Sequence, residues 1–292
     1  MESGQNPLTQ FSISEPSPGY WKVIFSNPPI NMLNSTTVLE LGEIVRRIEE
    51  AQDLRVVVFA SEDPDFYMAR YDLSDTNPVA FAPTESGVTY FIDSMLRMND
   101  AGPITIASIR GRVRGGGSEF ALSCDMRFAS IENSVFGQPE VGVGIVPAGG
   151  AVERLPGLVG TARALEIIAS ADDYDAVTAE RYGWINRALP DTELDDYVDT
   201  LARRLASFDP QVLATTKRLV RGRTSTPTED QFRETLETVR VLFGLLSTAG
   251  RRAAVVRRAA EVGADFELRM GHHLGLIRET TGAEQPAASL EM

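Results

Sequence analysis

The chain predicts an α/β protein, and three stretches near its start predict it. Residues 20–26 read as a short strand of mixed alternation, broken by Asn27-Pro28-Pro29. Val38, Leu41, Val45 and Ile48 then recur at spacings of three and four, one face of an amphipathic helix with Asn34 or Ser35 as its cap. Residues 55–60 (RVVVFA) form a near-continuous apolar run rich in β-branched side chains, the pattern of a strand covered on both faces. Strand, helix and buried strand in that order make an α/β unit with a parallel sheet.

The theme returns at 104–109, another β-rich run, followed by Gly111 and the triplet Gly115-Gly116-Gly117. Residues 119–124 read as a short helix and 126–129 as a strand. Two buried strands therefore each lead into a loop, at 61–72 and at 110–117. No internal repeat is strong enough to predict a solenoid. From about residue 148 the character turns helical, with helices expected at 162–170 and 193–207 and a stop and start at Pro190-Asp191. Thr226-Pro227-Thr228-Glu229 predicts a further helix, capped by Thr226, with Pro227 in the first turn and Glu229 closing a capping box. The helical pattern runs from there to about Ala264, and its expected role is packing or oligomerisation. The last dozen residues are expected to be a loose tail.

Composition narrows the chemistry. The 292 residues carry 28 basic and 41 acidic side chains, a formal net charge of −13, with one cysteine and two histidines. That length suits one large domain or a domain with an appendage. Cys124, His272 and His273 are too few for a Cys/His zinc site, and a histidine triad would have to borrow one of the two late histidines. A disulfide framework is excluded. The acid surplus argues against a nucleic-acid or membrane surface. MESGQNPLTQ has neither a basic stretch nor an apolar core, so no secretory signal is expected, and no run is long enough to span a bilayer. The expectation is a soluble protein of a reducing cytoplasm. Carboxylate, backbone-amide and arginine chemistry remain.

The glycine triplet stands where a strand ends and a helix begins. Free N–H groups and the helix dipole at such a junction favour negative charge, and glycine lets a ligand approach the backbone. The loop can thus hold a phosphate or an oxyanion formed during reaction; a tight turn before a packed helix is the equal alternative. No Gly-Lys-Ser/Thr follows, and G-x-G-x-x-G is not satisfied, so neither a P-loop nor a Rossmann fingerprint is present.

Glu119 follows the triplet directly, and Glu140 closes Phe136-Gly-Gln-Pro-Glu140 before the Gly-rich apolar stretch 141–147. Each glutamate alone reads as a solvated surface residue. Beside apolar walls and each other, however, two carboxylates acquire raised and split pKa values, one serving as acid and one as base.

These residues resemble those of the enoyl-CoA hydratase/isomerase (crotonase) superfamily, over roughly 18–220. The resemblance is carried by Asn27-Pro-Pro-Ile-Asn31 with Leu33-Asn34, Arg55-Val-Val-Val58, Asp72-Leu73, Gly115-Gly-Gly-Ser-Glu119 with Cys124-Asp125, and Phe136-Gly-Gln-Pro-Glu140. Gly144, Pro147, Gly149-Gly150, Arg154-Leu155 and Thr216-Lys217 complete it. It implies a crotonase-like spiral of ββα units over 1–200 and a helical C-terminal region over 201–292 that trimerises, giving a homotrimer or a dimer of trimers. It also implies an acyl-CoA thioester substrate and no separate cofactor, coenzyme A being part of the substrate. By position, Tyr71 and Gly116 would supply two backbone N–H groups to the thioester oxygen. Met68, Ala69, Arg70, Asp72, Leu73, Gly115, Pro139 and Gly144 would line the substrate. Glu140 would move a proton at the α-carbon, and Glu119 would orient and activate the water. An isomerase, a hydrolase or a catalytically silent paralogue are the alternatives on the same fold.

Three places depart from the family pattern. Met68-Ala69-Arg70-Tyr71 stands where small residues are usual, so Arg70 and Tyr71 either point away and pack or reshape the acyl pocket. Arg112 and Arg114 flank the glycine loop, where they either hold CoA phosphates or pair with acids. Gly250-Arg251-Arg252 and Asp265-Phe-Glu-Leu-Arg269 replace the segment with which relatives cover CoA, and His272 and His273 are expected to be exposed helix-end residues.

Overall fold

The computed structural model describes residues 7–224 and 227–277. It opens with β1 (Phe11–Ser17), β2 (Tyr20–Phe25) and α1 (Ser35–Glu50). Asn34 is the cap of α1, its side chain accepting from the Thr37 N–H while Thr37 Oγ1 accepts from the Asn34 N–H. Three strand–strand–helix units follow: β3 (Val56–Ser61), β4 (Phe66–Met68) and α2 (Tyr90–Asp100); β5 (Ile104–Ile109), β6 (Arg112–Arg114) and α3 (Gly116–Ser123); β7 (Met126–Ser130), β8 (Val135–Gly137) and α4 (Ala151–Val159). After α5 (Thr161–Ser170) come β9 (Asp173–Asp175), α6 (Ala176–Tyr182), β10 (Arg187–Leu189) and α7 (Asp191–Ala206). The chain continues through α8 (Pro210–Arg221), α9 (Glu229–Phe243), α10 (Leu246–Val262), α11 (Asp265–Leu268) and α12 (Met270–Leu276).

Each unit lays its first strand on one sheet and its second on another, which produces the spiral. The larger sheet runs β1-β2-β3-β5-β7-β10, parallel throughout except for the β1–β2 hairpin. The smaller runs β4-β6-β8-β9, with β9 antiparallel. β3 shows why its sequence is apolar without alternation. Val57 and Phe59 pack with α1 and α3 side chains, while Val56 and Val58 pack on the other face against Leu194, Val198 and Ala202 of α7.

The C-terminal third differs from expectation in detail. The helix after residue 226 begins at Glu229, and its cap is Thr228, which forms the box with Gln231. Thr226 lies outside the described residues, as does the tail after 277. The single helical run expected to Ala264 is broken at Gly244-Leu245 into α9 and α10. His273 is 2% exposed rather than a solvated helix end. Its Nε2 lies 2.7 Å from the Asp265 carboxylate, its Nδ1 3.2 Å from Arg258 Nη2, and its ring stacks on Phe266. His272 is exposed as expected. No described helix is long and apolar enough to cross a membrane.

Candidate active site

The three glycines of the β6–α3 junction do three different jobs. Gly115 has φ +49°, a conformation that favours glycine, and a Cβ there would stand 2.7 Å from Glu140 Oε1. Gly117 has no room for a side chain, since a Cβ would lie 2.0 Å from the Met68 carbonyl oxygen. α3 is thereby pressed against the end of β4. Gly116 is the first residue of α3, so its N–H has no partner within the helix. A Cβ on Gly116 would lie 3.1 Å from Leu33 Cδ1 and 3.9 Å from the Tyr71 nitrogen. The two sequence-predicted N–H donors are therefore neighbours.

The direction of the Tyr71 N–H follows from the planar trans peptide. The Arg70 carbonyl accepts from the Leu33 N–H at 2.8 Å, which sends the Tyr71 N–H the opposite way, away from Leu33. On the next peptide the Asp72 N–H donates to the Leu33 carbonyl, also at 2.8 Å. Leu33 thus pins the loop on both sides of Tyr71 and leaves that one N–H without a backbone acceptor. Two N–H groups side by side, neither with a backbone acceptor among the described residues, can hold an oxygen that gains negative charge.

Glu119 and Glu140 are 4% and 9% exposed, which removes the solvated-surface reading of both. Glu119 Oε1 accepts from the Gly149 N–H at 2.7 Å and the Ala151 N–H at 3.2 Å, at the start of α4. Gly149 admits this, for a Cβ there would lie 2.3 Å from Glu119 Oε2. Burial pushes the Glu119 carboxyl up to about 7, against the two N–H bonds that favour its charge. Glu140 begins the tight turn Val141–Val143, and its Oε2 is buried with no hydrogen-bond partner. Burial, with the Glu119 charge added, holds Glu140 well above the usual carboxylate range. The two carboxyls accordingly differ: burial and the Glu119 charge favour the neutral form of Glu140, while Glu119 is poised to ionise.

A profile for the enoyl-CoA hydratase/isomerase family matches residues 17–248. The chain belongs to that family. It is 32% identical over 203 residues to the short-chain-enoyl-CoA hydratase of Clostridium acetobutylicum, covering 68% of this chain and 76% of that protein. It is 30% identical over 212 residues to the carnitinyl-CoA dehydratase of Proteus mirabilis, covering 73% of this chain and 80% of the relative. A crystal structure from Streptomyces avermitilis superposes with a TM-score of 0.87 at 33% identity, covering 94% of this chain and 100% of that one. The spiral of strand–strand–helix units is the crotonase fold.

Within this member of the enoyl-CoA hydratase/isomerase family, the expected lining residues divide. Met68 and Ala69 are buried backbone contacts, Met68 beneath Gly117 and Ala69 donating to the Asn31 carbonyl at 3.0 Å. Pro139 stands beside Gly115, its Cδ 3.8 Å from where a Cβ would be. The Asp72 carboxylate is spent locally on the Ser74 N–H and hydroxyl, and Leu73 is 60% exposed. A Cβ on Gly144 would meet Arg251 Cβ and the Thr248 carbonyl oxygen of α10 at 3.3 Å. The Tyr71 ring turns toward Phe81, with its hydroxyl 3.2 Å from Asp75 Oδ2, and burial lifts that phenol to about 12. Of the flanking arginines, Arg114 chelates Asp173 at 2.6 and 2.8 Å, while Arg112 lies over the Phe66 ring and donates to the Asp65 and Leu268 carbonyls. Arg114 thus pairs with an acid, whereas Arg112 bonds carbonyls and comes no closer than 3.9 Å to the Asp65 carboxylate.

Glu153 and Arg154 of α4 were not singled out by sequence reasoning for any role here. The Glu153 charge raises the Glu119 pKa and the Arg154 charge lowers it. Arg154 is 8% exposed, donates to Asn99 Oδ1 at 3.0 Å and lies over the Phe232 ring, while Glu153 accepts from Thr235 Oγ1 at 2.5 Å. Phe232 and Thr235 lie on α9, so that helix buttresses the loop that grips Glu119.

Proposed function

We propose that this protein adds water reversibly to a 2-enoyl-CoA thioester. The observation that carries the reading is the unequal pair of buried glutamates beside the two N–H groups that lack a backbone acceptor among the described residues. Glu119, as carboxylate, takes a proton from water as the water oxygen bonds to the β-carbon. The electrons of the double bond move onto the thioester oxygen, and the Tyr71 and Gly116 N–H groups hold the resulting enolate. Glu140, as carboxylic acid, delivers its proton to the α-carbon and the thioester carbonyl re-forms. One water is added, and the reverse steps expel it. A fixed N–H at such an oxygen is worth roughly 3 to 4 kcal/mol in the transition state. Nothing in these steps calls for a cofactor beyond the coenzyme A of the substrate.

The part from 201 onward extends this proposal to assembly as a homotrimer or a dimer of trimers, with 1–200 as the catalytic core. On α8, α9 and α10 the apolar Val212, Val220, Val241 and Val256 are 62 to 68% exposed, and such side chains suit an interface between copies of the chain.

Incubation with a panel of 2-enoyl-CoAs in ¹⁸O-labelled water tests the chemistry. A 3-hydroxyacyl-CoA carrying one labelled oxygen is the expected product. A shifted double bond with no label would make the protein an isomerase, and released CoA would make it a hydrolase. Thioester binding with no product at all would leave a silent paralogue.

A further inference from the structure

Arg70 occupies the position just before the Tyr71 donor, and its side chain, 24% exposed, is turned to Glu267. Nε lies 3.2 Å from both oxygens of the Glu267 carboxylate, and Nη2 lies 2.5 Å from Oε1. The remaining nitrogen, Nη1, donates to the Tyr71 carbonyl at 3.1 Å. One guanidinium thus joins the loop that carries the Tyr71 N–H to a carboxylate 197 positions later.

Glu267 is itself held before it meets Arg70. It belongs to α11, whose C-terminal carbonyls are gripped from β6. Arg114 Nη1 donates to the Glu267 carbonyl at 2.8 Å, and Arg112 Nε to the Leu268 carbonyl at 3.1 Å. Arg114 is 1% exposed and fixed in turn by Asp173. Phe266 packs with Ala171, Met270 and Leu274 in a small core of its own. With side-chain exposures of 24% and 16%, the Arg70–Glu267 pair is shielded and bidentate, unlike the i,i+4 pairs on exposed helix faces.

We infer that Glu267 is a positioning residue for the Tyr71 N–H, acting through Arg70. The peptide before Tyr71 is fixed by Leu33. The peptide after it is fixed by Leu33 on its N–H and by Arg70 on its carbonyl. With Glu267 removed, Arg70 regains its rotamers, and the Tyr71 carbonyl loses the fixed hold of the one side-chain donor it has among the described residues. The donor N–H then samples orientations that miss the thioester oxygen, and a small misplacement of this kind costs rate out of proportion to binding. This inference rests on the reading that Tyr71 and Gly116 polarise the thioester carbonyl.

The test uses the full-length protein and a saturated thioester, butyryl-CoA, so that no turnover is needed. Infrared difference spectra of the isotope-edited carbonyl report its polarisation directly. Wild type is expected to lower that stretching frequency relative to solution. Glu267→Ala is expected to return it part of the way, with kcat on the matching enoyl-CoA down about 10-fold and KM changed by less than about 3-fold. Glu267→Gln, which still offers an acceptor to Arg70, is expected to lie between. A wild-type spectrum without a shift would sink the oxyanion reading together with this inference. A full wild-type shift retained in Glu267→Ala, or a KM rise with kcat intact, would overturn the positioning role alone. If Glu267→Ala does not fold, the isosteric Gln variant decides, by a partial return of the frequency or by none.

Discussion

Glu140→Gln is expected to lower kcat about 10³-fold while leaving the protein folded and able to bind acyl-CoA. The expectation comes from the resting state of the group. Burial and the neighbouring Glu119 charge favour the protonated form of Glu140, and a neutral amide of the same shape matches that form. Its Oε2 has no partner to lose. The fold is therefore nearly indifferent to the exchange, whereas the proposed reaction loses its proton for the α-carbon. Thermal unfolding and the disappearance of the conjugated enoyl thioester absorbance measure the two effects separately. Unchanged turnover would remove Glu140 from the mechanism, and a large loss of stability would mean that its buried carboxyl does structural work that the geometry does not show.

The second large effect is expected at Gly116. Proline is well tolerated at the first position of a helix, where the missing N–H has no helical partner. Gly116→Pro therefore deletes the proposed donor and spares α3. A loss of about 10²- to 10³-fold in kcat is expected. Gly116→Ala is the control, since it keeps the N–H and adds only a methyl that Leu33 Cδ1 must yield to at 3.1 Å. Proline as active as alanine would show that this N–H does not bear on the rate-limiting charge. Circular dichroism and thermal unfolding of both variants confirm that the comparison is made between folded proteins.

Much of the site was legible because its chemistry is written in short, ordered motifs. The glycine triplet stood out by residue type, while the places of Glu119, Glu140 and the first donor came from the family resemblance. The longer elements were legible by periodicity, as in α1, β3 and α7. Strands of three residues such as β4, β6 and β8 are too short to show any period, so the second sheet could not be read. Partners far along the chain were equally hidden. Nothing near Arg70 points to Glu267, and nothing near Arg112 or Arg114 points to the carbonyls of α11. His273 was misplaced for the same reason: its burial is set by Phe266 and Asp265, whose packing the local pattern does not announce. Glu153 looked like one more acid among 41, and only the fold brings its charge to bear on Glu119.

The proposed hydration needs one glutamate ionised and the other protonated. The pH dependence of kcat/KM for a 2-enoyl-CoA tests it most directly, between about pH 5 and about pH 9. At low pH both carboxyls are protonated and no base is available, so the rate rises with pH as Glu119 ionises, with a midpoint of about 7. At higher pH the second proton leaves, no acid remains for the α-carbon, and the rate falls. Both midpoints belong to the coupled pair. A bell with its rising limb near neutrality is the predicted result; a rate constant across the range, or one falling steadily from the acid side, would contradict it.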